Sequence, residues 1–284
     1  ELDPDLLEAH SWLAIVDYDI GLMQQAAWHL QRVAELDPHD PRPHRMMAVI
    51  HLGFGSHAIA IEDFQESLRR DPNQVDRQEM LVELAQAQLW MRRFADAART
   101  LSQCDETAEV LAMRADGLFG VGRKADARRL AEAALVIEPR QRLALLVLGR
   151  LEFDNLRYQQ AVELFSRAAE AAPGDYEIHY SYLMALRAAG HTEQVNQELA
   201  VVEELRELRE RFDELLARAT TEPQNANVRY ELGVIADRLE MTEVAQSWFK
   251  AAVGLDPQHH LARHELNALR FKNNRPHRGG PASP

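Results

Sequence analysis

Apolar side chains recur along most of this chain at three- and four-residue spacing, the period of an amphipathic helix, in segments rich in alanine, leucine, glutamate and arginine. Breakers punctuate these segments at fixed distances. Pro4 to Pro38, Pro38 to Pro72, Pro139 to Pro173 and Pro223 to Pro257 each span 34 residues. Proline lacks an amide hydrogen and clashes with the preceding turn, so each is expected just past a helix end. A second breaker falls about midway: Gly21, Gly53 with Gly55, Gly120 with Gly122, and Gly190. The predicted unit is helix, turn, helix, proline-marked turn, repeated along the chain. The tetrapeptide ELDP at Glu1–Pro4 and again at Glu35–Pro38 is then the closing mark of such a unit, not a site. A chain beginning on that mark is expected to have been cut from a longer array.

A unit of this length resembles the tetratricopeptide repeat. That family's pattern asks for a small residue at position 8, alanine at 20, a bulky apolar residue at 24, a small one at 27 and proline at 32. Repeat starts at 7, 41, 78, 108, 142, 176 and 226 give Ala14, Ala48, Ala85, Ala115, Gly149, Leu183 and Gly233 at position 8. Position 20 gives Ala26, Ala60, Ala97, Ala127, Ala161, Val195 and Ala245, and position 24 gives Leu30, Phe64, Leu101, Ala131, Phe165, Leu199 and Phe249. Small residues fit at 8 and 20 because paired helices approach closely there. The resemblance implies an all-α, right-handed superhelical solenoid of about seven helix-turn-helix repeats over residues 7–257. A polar capping helix over 258–271 and a flexible basic tail over 272–284 would complete it.

Two stretches depart from the pattern. The third unit carries surplus residues Val75, Asp76 and Arg77, and its second helix is expected to end near Cys104. Pro173 and Pro223 are 50 residues apart, which leaves 192–219 as one extended helix. Its stripe of Val195, Leu199, Val202, Leu205, Leu208, Phe212, Leu215 and Ala219 approaches the coiled-coil period, and Glu207/Arg211 and Glu214/Arg218 have helix-supporting spacing. Either this helix packs along its own solenoid, or it protrudes as an arm for homodimerisation or docking.

Composition narrows the functional classes. The chain has 284 residues, 46% of them hydrophobic, and a net charge of -13, which argues against nucleic acid as the partner because phosphates would be repelled. The single cysteine, Cys104, rules out an internal disulfide framework or a multi-cysteine metal site. No apolar run approaches the roughly 20 residues of a membrane-spanning helix. Three lysines against many arginines and alanines suit a GC-rich bacterial source.

Candidate chemistry is sparse. The segments Gly53–Ala58 and Gly120–Ala125 match a dinucleotide fingerprint, but both fall at turns between predicted helices, where the strand that gives it meaning is missing. His29, His39, His44, His51 and His57 crowd the first two repeats and His260 and His264 lie one helical turn apart; they are expected to be surface residues, with no metal. Asp105 and Glu106 beside Cys104 disfavour a thiolate. No cofactor and no catalytic residue is expected.

Function is therefore sought in the surface that the fold creates. In the family, positions 2, 5, 9, 12 and 13 of the first helices line a concave groove. Mapped onto this sequence they include Tyr18, Arg45, Gln86, Trp90 and Phe119, and further along Arg150, Phe153, Tyr180, Arg187 and Tyr230. Aromatic residues and arginine dominate interface energies, which points to a protein or peptide ligand with apolar anchors and some acidic character. The chaperone-carboxylate clamp of some family members is not expected, since no asparagine precedes Asn73 and no lysine precedes Lys124. The reading is a noncatalytic protein-interaction scaffold; the other is the repeat segment of a larger enzyme, such as a transferase, or of a membrane-anchored envelope assembly complex.

Overall fold

The computed structural model describes residues 6–273, so the opening ELDP and the end of the tail lie outside the described residues. Among the described residues there are fifteen helices and no strand. They come as hairpins: α1 Leu7–Asp19 and α2 Met23–Leu36; α3 Arg42–Gly53 and α4 His57–Arg70; α5 Arg77–Trp90 and α6 Phe94–Leu101; α7 Ala108–Gly120 and α8 Lys124–Ile137. Then follow α9 Arg142–Asp154 and α10 Tyr158–Ala171; α11 Tyr176–Ala189 and α12 Thr192–Thr221; α13 Ala226–Arg238 and α14 Thr242–Leu255; and a last helix, α15 His260–Asn273.

Local chemistry explains both kinds of turn. Every hairpin turn holds one residue in the left-handed region: Gly21, Gly55, Arg92, Gly122, Leu156, Gly190 and Glu240. Three of the seven are not glycine, which is why the glycine pattern alone left three hairpins unmarked. At the other turn α2, α4, α8, α10, α12 and α14 each end two residues before a proline. The next helix then starts on a polar cap in several cases. Asp175 accepts from the amides of Glu177 and Ile178 at 3.0 and 3.3 Å, and Asn225 caps α13 in the same way at 3.1 and 3.3 Å.

The core runs between hairpin partners. Gly149 on α9 faces Phe165 on α10 so closely that a Cβ there would meet the ring at 2.4 Å, and Gly233 faces Phe249 at 2.5 Å in the same relation. Helix α6 is only 8 residues long. Beyond it Cys104 turns inward beside Leu101, and burial raises its thiol pKa, ahead of the effect of Asp105.

The chain divides into two compact units. The first takes in Leu30–Glu207 together with residues through His10, and the second takes in Ser11–His29 and the chain from Leu208 onward. Within the second, α14 packs on α13 and α15, and Gly254 lies against the carbonyl of Ile20, where a Cβ would approach to 1.7 Å.

Helix α12 is continuous over 30 residues. Its stripe is covered: Val202, Leu205, Leu208, Phe212, Leu215 and Ala219 are all buried. Val195 and Leu199, at its start, are partly exposed. The supporting ion pairs also differ from those the spacing suggested, for Arg211 bonds Glu214 and Glu231, and Arg218 bonds Glu222.

Candidate functional site

In the first unit the helices that open the hairpins touch one another in order, α5 on α7, α7 on α9 and α9 on α11, so they form a continuous layer. Eight of the ten candidate residues stand on helices of this kind in that unit: Arg45 on α3, Gln86 and Trp90 on α5, Phe119 on α7, Arg150 and Phe153 on α9, and Tyr180 and Arg187 on α11. Tyr18 and Tyr230 belong to the second unit. There Tyr230 packs against Phe249 and His259, with ring centroids 5.9 and 5.0 Å away.

Polar candidates are tied to acids of the neighbouring repeat. Arg45 bonds Asp76 and also Glu79, the latter at 3.0 Å. Gln86 donates to Glu109 at 3.3 Å. Arg150 donates to Asp116 at 3.1 Å and also bonds Glu177. Burial raises the Asp116 carboxyl pKa above the ordinary aspartate value, and the Arg150 charge opposes that rise. These acids were missed in the sequence. The signal was present, since Arg45/Glu79 and Asp116/Arg150 are opposite charges set 34 residues apart.

The aromatic candidates divide by exposure. Phe119 is partly buried against the α7–α9 core, and Phe153 meets Tyr158 edge-on at 5.3 Å. Tyr180 is 46% exposed and stacks on Tyr176 at 6.0 Å. Trp90 is 63% exposed, yet one face of its indole is covered by the His57 ring at 4.0 Å, and burial lowers the His57 pKa. Arg187, in the last turn of α11, is exposed.

The histidines are mostly structural. His44 and His51 both bond Asp63, at 3.4 and 2.7 Å, and His29 pairs with Asp17 at 3.7 Å. His179, 7% exposed, bonds Glu198 at 2.6 Å. These four join helices within hairpins, where a surface position had been expected for His29, His44 and His51; His39 is exposed. Among the described residues no group of three or more histidine, cysteine, aspartate or glutamate side chains is placed to hold a metal ion. No described helix is long and apolar enough to cross a membrane.

A family model described as tetratricopeptide repeat matches residues 112–176 and 205–260. The first match begins inside α7 and the second inside α12. Among solved structures, a MamA fragment from Desulfovibrio magneticus RS-1 is similar over 60% of this chain and 97% of its own, at 15% identity and TM-score 0.51. PilW, a type IV pilus biogenesis factor, is similar over 70% of this chain and 93% of its own, at 14% identity and TM-score 0.54. The Cut9–Hcn1 hetero-tetramer of the APC/C covers 90% of this chain with 48% of its own, at 13% identity and TM-score 0.50. Among curated proteins none matches the chain. At these identities the structural likeness speaks for the fold.

Proposed function

The chain belongs to the tetratricopeptide-repeat family, and from that premise we propose that it is a noncatalytic scaffold whose first-helix layer, over α3 to α11, holds a peptide segment of a partner protein. Repeats of this kind serve generally as protein-interaction scaffolds, and this chain's own residues favour one surface for it. The supporting observation is the row of inter-repeat bridges, Arg45 to Glu79, Gln86 to Glu109 and Arg150 to Asp116, which fixes a polar frame. Within that frame Tyr180 presents an exposed ring. A rigid aromatic anchor on a pre-organised helical layer costs little side-chain entropy on binding.

The test is site-specific photocrosslinking. A benzophenone amino acid at Tyr180 is expected to capture a defined partner, whereas the same group at Glu163, exposed on α10, is not. Equal capture at both positions, or none at Tyr180, would remove the reading.

A further inference from the structure

The same layer carries a charge pattern that names the chemistry of its ligand. We infer that the first-helix face takes a basic peptide, one with arginine or lysine flanking apolar anchors; this rests on the scaffold reading above. Arginines on this face suggested an acidic ligand, but the structure has engaged them. Arg45 is held by two carboxylates, Asp76 and Glu79, and Arg150 by two more, Asp116 and Glu177. Each guanidinium is therefore outnumbered where it sits.

The surplus is accessible. The side chains of Glu79 and Glu177 keep 67% and 65% of their surface, and Glu109 is exposed and bonded by the neutral amide of Gln86. All three lie in the first turns of their helices, α5, α7 and α11, along an edge that also holds Arg77, bonded to Gln103, and Arg142, paired with Asp175. Tyr180 stands one turn after Glu177 on the same helix and offers an apolar surface beside the acidic edge. At the far end of α11, Arg187 is exposed and marks the opposite edge as unfavourable for cations. The chain's net charge of -13 steers a cationic ligand toward the molecule. Arginine side chains on the ligand would find carboxylates that already adopt an ion-pairing geometry, and the apolar residues between them would cover Tyr180.

Two fluorescein-labelled dodecapeptides test this, one built from arginine, leucine and tryptophan and the other with glutamate in every arginine position. Fluorescence anisotropy is expected to show the basic peptide binding at least about tenfold tighter, with affinity falling as salt rises from about 0.05 M to about 0.5 M. The triple variant E79Q/E109Q/E177Q should lose most of that affinity. A matched triple on the second helices, E132Q/E163Q/E170Q, changes net charge equally and should lose little. Circular dichroism establishes that each variant is folded.

The failures are distinguishable. If Tyr180→Ala weakens binding of the basic peptide and E79Q/E109Q/E177Q does not, the surface reading stands and the charge inference falls. If the two triples weaken binding alike, the attraction is general to the acidic protein and both readings fall. Equal or tighter binding of the glutamate peptide overturns the inference directly.

Discussion

The guanidinium of Arg229 on α13 donates to the backbone carbonyl of Ala219, near the end of α12, at 3.1 Å, and its second bond goes to Pro223 at 3.0 Å. The last carbonyls of a helix have no intrahelical partner, and here a side chain from the next helix supplies it. Arg229 is only 6% exposed, and burial lowers its pKa from the ordinary arginine value. Its guanidinium carbon lies 5.7 Å from the Trp248 ring centroid, so one cation joins α12, α13 and α14.

Replacing it should therefore loosen all three helices. Arg229→Ala leaves two carbonyls without these donors and opens space beside Trp248, and we expect a loss of about 2–4 kcal/mol. Arg229→Lys should lose less, because one donor can still reach. Urea unfolding followed by circular dichroism reads both, and an Arg229→Ala variant as stable as the parent would contradict the capping role.

Leu156 offers a stabilising change. It stands at φ 61 in the hairpin turn between α9 and α10, where the α7/α8 and α11/α12 turns have Gly122 and Gly190, and it is 71% exposed. The left-handed conformation costs a branched residue roughly 1–2 kcal/mol, more than glycine loses through its freer unfolded chain. Leu156→Gly is expected to raise stability by about 0.5–1 kcal/mol, while Leu156→Ala, still strained, should gain little. Thermal melts of the three proteins decide it.

Glu152 predicts a pH dependence. It is 6% exposed and accepts from Arg128 at 2.6 Å and Arg157 at 3.2 Å. Burial opposes its ionisation, but the bond from Arg128 and then Arg157 outweigh it, so the folded pKa lies below the ordinary glutamate value of 4.5. A carboxyl depressed on folding stabilises the protein above its unfolded pKa, and the contribution disappears as pH falls through the folded one. Glu152→Gln should be less stable than the parent by about 1–2 kcal/mol at about pH 7, the partial exposure of both arginines reducing the effect. The gap should narrow as pH falls below the unfolded value and close once it has passed the folded one, as measured by urea midpoints across pH.

Gly149 should not tolerate bulk. A Cβ at this position would lie 2.4 Å from the Phe165 ring, itself 1% exposed. Gly149→Val is expected to cost about 2–3 kcal/mol by forcing α9 and α10 apart. Phe165→Leu in the same chain should recover part of the loss, and a double-mutant cycle reads the coupling. Strict additivity would mean that the two positions do not meet.

Much of this architecture was legible because it depends on local rules. Proline ends a helix wherever the chain runs, so Pro38, Pro72, Pro139, Pro173, Pro223 and Pro257 each follow a helix end by two residues. A close helix pair excludes large side chains, so Gly149 and Gly233 were readable as contact positions before any contact was seen. The hairpin turn was less readable, since Arg92, Leu156 and Glu240 take the left-handed conformation at the expense of strain, without the residue type that announces it.

The surface was less legible still. Sequence position alone placed Arg45 and Arg150 on the first helices, and there its authority ended, because the charge of a side chain says nothing of which neighbour neutralises it. Stacking the repeats brought Asp76, Glu79, Asp116 and Glu177 from adjacent helices onto those two arginines, so that each guanidinium faces two carboxylates. In the same way the stripe of α12 could be read as a buried seam or as an open one, the buried reading being the favoured one, until packing covered Phe212 and Leu215. The repeating helices and their turns are written locally in the chain, since they follow from backbone sterics and short-range spacing. Which charges are neutralised and which apolar faces are covered came from packing, since both depend on contacts between residues far apart in the chain.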